Sequence, residues 1–171
     1  HTTIKPWNVD QHGYILVLPP TQPTAWYTES QNWLDKTVKQ IRLHTDREII
    51  VRHKPPVAFV DNNGYPIAHH NQDINVRTTS LEEDIESCYC VVAFNSGAVV
   101  DATAHGKPVF CTEHASSYPI SFTLDNIENK VMLLKEPDRI NWFSALAYNQ
   151  FRLSEMRDGT AWNLMKEHEI V

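Results

Sequence analysis

Cysteine is scarce: Cys88, Cys90 and Cys111 are the 3 in a chain of 171 residues. So small and odd a number argues against a disulfide framework and reads as reduced core cysteines of a cytoplasmic protein. Long apolar runs are missing too, and no stretch approaches the roughly 20 residues that a membrane-spanning helix needs. No basic segment followed by an apolar run opens the chain, so no secretory leader is expected. Positive charge is in deficit, with 15 Lys and Arg against 21 Asp and Glu and a net charge of -6. That balance argues against a protein that coats nucleic acid, because phosphate backbones select clustered cations. It leaves room for an enzyme that touches DNA briefly. There are 9 histidines, but neither H-x-x-x-H nor C-x-x-C spacing, and His69 and His70 are adjacent and so diverge. No metal is expected.

What is present is a globular composition, 42% hydrophobic and 21% charged, and a length that suits one domain spanning 1–171. Tyr14–Leu18 (YILVL) is a short apolar run stopped by Pro19-Pro20, which predicts a buried strand. The Pro- and Thr-rich stretch 21–28 predicts a loop, and the spacing of Trp33, Leu34, Val38 and Ile41 predicts a helix over 29–44. Glu48–Arg52 predicts a second strand. Asn62-Asn63-Gly64 predicts a hairpin turn between 57–60 and 65–68. Ser80 with Glu83 three residues on is a capping box for a helix running to Ser87. Then come a strand at Cys90–Phe94, a helix over 98–105 with Gly106 as its C-cap, and a strand at Pro108–Cys111. Cys88 and Cys90, two apart on one extended segment, should point the same way. A long helix is expected over 138–157, stopped by Gly159, and a short one over 161–168.

Apolar strands alternating with amphipathic helices imply an α/β, Rossmann-like domain, a mostly parallel sheet with helices on both faces. Ligands of such sheets bind outside the carboxyl ends of the strands, at a switch point. The loops 19–26, 53–55, 95–97 and 112–117 should therefore share one edge. On that edge Asn95, Ser96 and Gly97 sit between a strand and a helix, where unpaired amides and the helix dipole suit a phosphate. Asp101, one turn into the helix, can accept hydrogen bonds from ribose hydroxyls. Arg52 and Lys54 bracket His53 at a neighbouring strand end and suit a diphosphate. Glu113 and His114 form the candidate acid–base pair. Ser96 as a hydrolase nucleophile would need a small residue two positions earlier, and Phe94 is not one.

The segment NSGAVVDATAHGKPV, 95–109, resembles the S-x-x-x-x-[ED]-A-x-x-x-G-x-P-V pattern of the C-terminal, donor-binding domain of GT-B glycosyltransferases and capsule-polysaccharide transferases. Ser96, Asp101, Ala102, Gly106, Pro108 and Val109 carry the match, with Asp101 in the place of the usual Glu. The order of elements, and the stretch LAYNQFRLSEMRDGTAW, are similar to small glycosyltransferase-like proteins of bacteriophages. The resemblance implies a nucleotide-diphosphate sugar as donor, its diphosphate at the helix start and its ribose on Asp101. It implies a polysaccharide or a modified DNA base as acceptor. GT-B enzymes have two such domains, so a second domain or partner subunit is implied, against which Trp7, Trp26 and Tyr27 are placed to pack. A binding or structural module that keeps the fold without catalysis is the alternative. The start at His1 rather than Met reads either as a processed or incomplete start or as a piece of a longer protein.

Overall fold

A computed structural model of the chain describes residues 3–54, 59–60, 66–67, 78–128, 136–148 and 150–167. Their contacts divide into two compact units, His1–Leu133 and Leu134–Val171. The first is built on a parallel sheet. Its strands are β1 (Tyr14–Leu18), β2 (Ile49–Val51), β5 (Cys88–Ala93) and β6 (Val109–Cys111), in the order β2-β1-β5-β6. A separate antiparallel pair, β3 (Phe59–Val60) and β4 (Pro66–Ile67), matches the expected hairpin, whose turn lies outside the described residues. The helices of this unit are α1 (Gln22–Tyr27), α2 (Trp33–Arg42), α3 (Leu81–Ser87) and α4 (Ala98–Ala104). The chain is thus an α/β protein with a Rossmann-like sheet.

The strands form because their residues are apolar on both sides, as a sheet covered on both faces requires. All six residues of β5 are buried. Leu16, Leu18, Val91 and Ala93 join Ile85 of α3 and Val99 and Ala102 of α4 on one face. Ile15, Val17, Cys90 and Val92 join Ile41 of α2 on the other, with Phe110 and Ile127. Each fully buried aliphatic side chain contributes roughly 1.5–3 kcal/mol.

Cys88 and Cys90 do not share a face. Tyr14 pairs with Cys88 but Ile15 pairs with Cys90, so Tyr89 is an extra residue, a β-bulge. The bulge turns Cys88 into the α3–α4 face and Cys90 into the α2 face. Gly13 accounts for the crowding there, since a Cβ on it would lie 2.6 Å from the Tyr89 nitrogen and 2.7 Å from the Cys88 carbonyl carbon. All three cysteines are unpaired thiols, and burial pushes Cys88 up to about 12.

The region before α2 also differs from expectation. The stretch 21–28 contains α1 rather than a loop, because Pro23 falls in the first turn, where no intrahelical N–H is needed. The helix expected over 29–44 begins only at Trp33, since Glu29 takes a left-handed φ of 53°. Further along, the capping box of α3 is formed: the Glu83 N–H donates to Ser80 Oγ at 3.1 Å and the Ser80 N–H donates to the Glu83 carboxylate at 2.7 Å.

The second unit contains α5 (Glu136–Tyr148), α6 (Leu153–Arg157) and α7 (Thr160–Glu167). The helix expected over 138–157 is therefore two helices. The break follows from Glu155, whose carboxylate accepts the Arg152 N–H at 2.6 Å and starts a new helix. No helix among the described residues is long and apolar enough to cross a membrane.

Candidate functional site

The strand order sets the location. From β1 the chain moves outward to β2, and from β5 it moves the opposite way to β6, so the switch point lies between β1 and β5. At the carboxyl ends of β1, β2 and β5 the structure has a cleft of about 660 Å³. Leu18, Pro19, Thr21 and Thr24 line it from the β1 side, Arg52, His53 and Lys54 from the end of β2, and Asn95, Ser96, Gly97 and Ala98 from the turn after β5. Leu81, at the start of α3, also lines it. None of these residues carries a carboxylate, in a chain whose acids outnumber its bases by 21 to 15.

The turn after β5 is held firmly. Phe94 is buried, its N–H donates to the Leu18 carbonyl at 3.3 Å, and its own carbonyl accepts from Thr112 Oγ1 at 2.6 Å. Its ring meets Trp33 edge-on at 5.8 Å and His114 at 5.2 Å. The turn takes up several amides that the sequence offered to a ligand. The Ala98 N–H donates to Ser96 Oγ at 3.3 Å, the Val99 N–H to the Ser96 carbonyl at 3.2 Å, and the Val100 N–H to the Gly97 carbonyl at 2.9 Å. The Ser96 and Gly97 amides make no such bond among the described residues. Gly97 has an ordinary helical φ of -59°, and a Cβ there would meet nothing within 4 Å. Among the described residues nothing crowds this position, where Gly97 stands at the N-cap of α4.

Arg52 is bound on one side. Its Nη1 donates to Asp84 Oδ2 at 2.6 Å and to the Thr79 carbonyl at 2.8 Å. Asp84 is fully buried on α3 and also accepts from Thr79 Oγ1 at 2.8 Å, and the Tyr14 hydroxyl divides its proton between the Asp84 backbone carbonyl at 3.1 Å and Oδ1 at 3.2 Å. Lys54 is exposed at the rim.

Five of the six residues expected to hold a ligand, Arg52, Lys54, Asn95, Ser96 and Gly97, come together in this cleft. Asp101 does not line it; the residue lies exposed on α4. Glu113 and His114 follow β6 at the same end of the sheet, exposed, and do not line it either. His114 is occupied in packing against Phe94. The residues that sequence reasoning missed are Thr21, Thr24 and His53; the switch-point rule marked their loops but not their side chains. Trp26 and Tyr27 are 77% and 90% exposed on α1. Trp7 belongs to the opposite end, because its neighbours Pro6 and Asn8 lie against Gly106, ahead of β6.

Most of the resembling motif has a packing role. Ala102 and Val109 are core, and Gly106 has a φ of +78° with a would-be Cβ 2.0 Å from the Pro6 carbonyl oxygen. Ser96 and Asp101 are the motif residues with no such role. Among the described residues one group could hold a metal, Glu82, Glu86 and His105, with ligand atoms within 4.8 Å of one another. The Lys5 ammonium already sits there, 2.8 Å from Glu86 Oε1 and 3.2 Å from His105 Nδ1, so the group anchors the amino-terminal segment. No protein-family model, curated protein or solved structure matches the chain.

Proposed function

We propose that the chain binds the nucleotide-diphosphate sugar donor of a glycosyltransferase in the cleft at the carboxyl ends of β1, β2 and β5. The observation that carries this reading is the make-up of the cleft: two cations, one of them paired with the buried Asp84, a histidine, hydroxyls and an amide, with no carboxylate among the described lining residues, in an acidic protein. Such a lining favours an anion bearing hydroxyl groups, and its place at a switch point is where α/β sheets bind nucleotides. The likeness of 95–109 to the GT-B donor motif narrows the anion to a nucleoside diphosphate. Asp101, outside the cleft, would hold the ribose of a donor that extends over the first turn of α4. An acceptor, polysaccharide or DNA base, would be presented by a second domain or subunit, because the rate of such transfers depends on orienting both reactants.

Calorimetric titration with uridine diphosphate, and with uridine as the phosphate-free control, tests the reading. Saturable binding of the diphosphate, weakened about tenfold in Lys54→Ala by loss of one charged contact, is expected. Absence of diphosphate binding by the wild-type chain would remove the reading. Diphosphate binding with no transfer in the presence of an acceptor-presenting partner would favour the non-catalytic module, in keeping with Glu113 and His114 not being among the described residues that line the cleft.

A further inference from the structure

We propose that Asp84 is a positioning residue, and that it holds Arg52 so that the outer edge of the guanidinium is presented to a phosphate group in the cleft. The inference rests on the reading of that cleft as an anion site.

Asp84 is 1% exposed, and each of its oxygens is engaged. A buried ion pair is a poor source of stability, because the cost of desolvating two charges offsets most of their attraction. Its presence at the wall of a cleft calls for another reason, and the geometry supplies one. Nη1 of Arg52 is held by two acceptors, Asp84 Oδ2 at 2.6 Å and the Thr79 carbonyl at 2.8 Å, which fixes the plane of the guanidinium. A guanidinium has five N–H donors in a rigid fork. The Nε proton and both Nη2 protons make no hydrogen bond among the described residues. The side chain keeps 15% of its surface exposed and lines the cleft.

Arg52 is thus a preorganised fork, which loses little rotamer freedom when an anion arrives. Because Asp84 neutralises its charge, Arg52 supplies geometry, whereas Lys54 on the exposed rim supplies the net charge. A diphosphate would use both: a directional contact at Arg52 and a screened, salt-sensitive one at Lys54.

The test is a double-mutant cycle read by titration with inorganic pyrophosphate and with uridine diphosphate. Asp84→Asn keeps the shape of the side chain and removes its charge. We expect it to weaken pyrophosphate binding about tenfold, the size of a misdirected charged hydrogen bond. In an Arg52→Ala background the same change should cost nothing further, because Asp84 acts only through Arg52. Thermal melting checks the fold of each variant. If Asp84→Asn does not fold, Tyr14→Phe, which removes only one hydroxyl bonded to Asp84, takes its place in the cycle and should give a smaller loss of the same pattern. Wild-type or tighter affinity in the Asp84 or Tyr14 variant (tighter as expected if Asp84 acts only by offsetting the charge of Arg52), or losses that multiply with Arg52→Ala, would overturn the positioning role and leave the nucleotide reading standing. Failure of the wild-type chain to bind either probe would overturn both.

Discussion

The two ends of the parallel sheet use their polar residues differently. At the amino ends of the strands, charges are spent inside the protein. Arg47, just before β2, donates to Glu128 from Nε at 2.7 Å and from Nη2 at 3.1 Å, reaches the Gln11 carbonyl at 2.6 Å, and stacks on Tyr89 at 3.9 Å. Lys107, just before β6, is buried and donates to the Cys88 carbonyl at 3.0 Å; burial lowers its pKa. Lys5 ties the amino-terminal segment to Glu86. At the carboxyl ends, Lys54, Asn95, Ser96 and Gly97 face a cleft instead. Glycines divide the same way: a Cβ would collide at Gly13 and Gly106 but meets nothing at Gly97. At one end the polar groups close on the protein itself, and at the other they line a cleft. Arg52 belongs to both, closed on one edge and open on the other.

The comparison breaks first if the amino-end glycines are dispensable. Gly106→Ala should be the most damaging single change. It places a side chain in a left-handed conformation, costing about 1–2 kcal/mol, and forces a Cβ against backbone, costing about 1–3 kcal/mol more. The urea midpoint should fall accordingly. An unchanged midpoint would mean that the contact of Pro6 with Gly106 is not part of the folded state.

Next in size is Glu128→Gln. It removes the carboxylate that accepts two Arg47 donors and the Thr45 hydroxyl, and that raises the Arg47 pKa chiefly by hydrogen bonding. A loss of about 1.5–3 kcal/mol is expected for charged hydrogen bonds. Affinity for the proposed nucleotide should not move, because the pair lies at the other end of the sheet. A variant that lost affinity as well would show the two ends to be coupled.

Much of this division was legible in the sequence, and the reasons it was not fully so are physical. Apolar runs marked the four strands because a doubly covered sheet leaves no polar positions in them, and the strand ends then located the cleft. The bulge at Tyr89 could not be read, since it is a matter of pairing between segments far apart in the chain, where the backbone of 87–89 closes on Gly13. Nor could the partner of Arg52 be read, because Asp84 looks in sequence like one of three acids in the first turn of a capped helix. Asp101 shows the converse: its spacing matched a motif, but its side chain lies outside the cleft lining.

A smaller effect follows from pH. The Lys5 ammonium, hydrogen-bonded to Glu86, holds that carboxyl below its ordinary value of 4.5. A carboxyl with a lowered folded value stabilises the protein above 4.5, and the contribution is lost as pH falls through the folded value. Stability of the wild-type chain should therefore decline below that pH, and Lys5→Met should flatten part of the decline. Both groups are exposed, so the difference is small and shrinks with added salt. An identical acid limb in the two proteins would mean that the Lys5–Glu86 contact adds nothing to the backbone bonds from this segment to Ala104 and Gly106.

The smallest expected change in stability is the most telling. Gly97 has a φ of -59° and a ψ of -21°, which any residue adopts, and open space where a Cβ would be. Alanine there loses less backbone entropy on folding, so Gly97→Ala should leave stability unchanged or raise it by up to about 1 kcal/mol. If the absent side chain serves the fold, stability must fall, and the contrast with Gly106 disappears. If it serves a ligand, stability holds and affinity falls, because the added methyl occupies the space through which a diphosphate would reach the Ser96 and Gly97 amides. Chemical denaturation and calorimetric titration with uridine diphosphate on the same preparation separate the cases. A variant as stable as the wild type but weaker in binding places the ligand against the backbone at 96–97. A variant equal in both would move the contact away from the turn, towards Arg52 and Lys54.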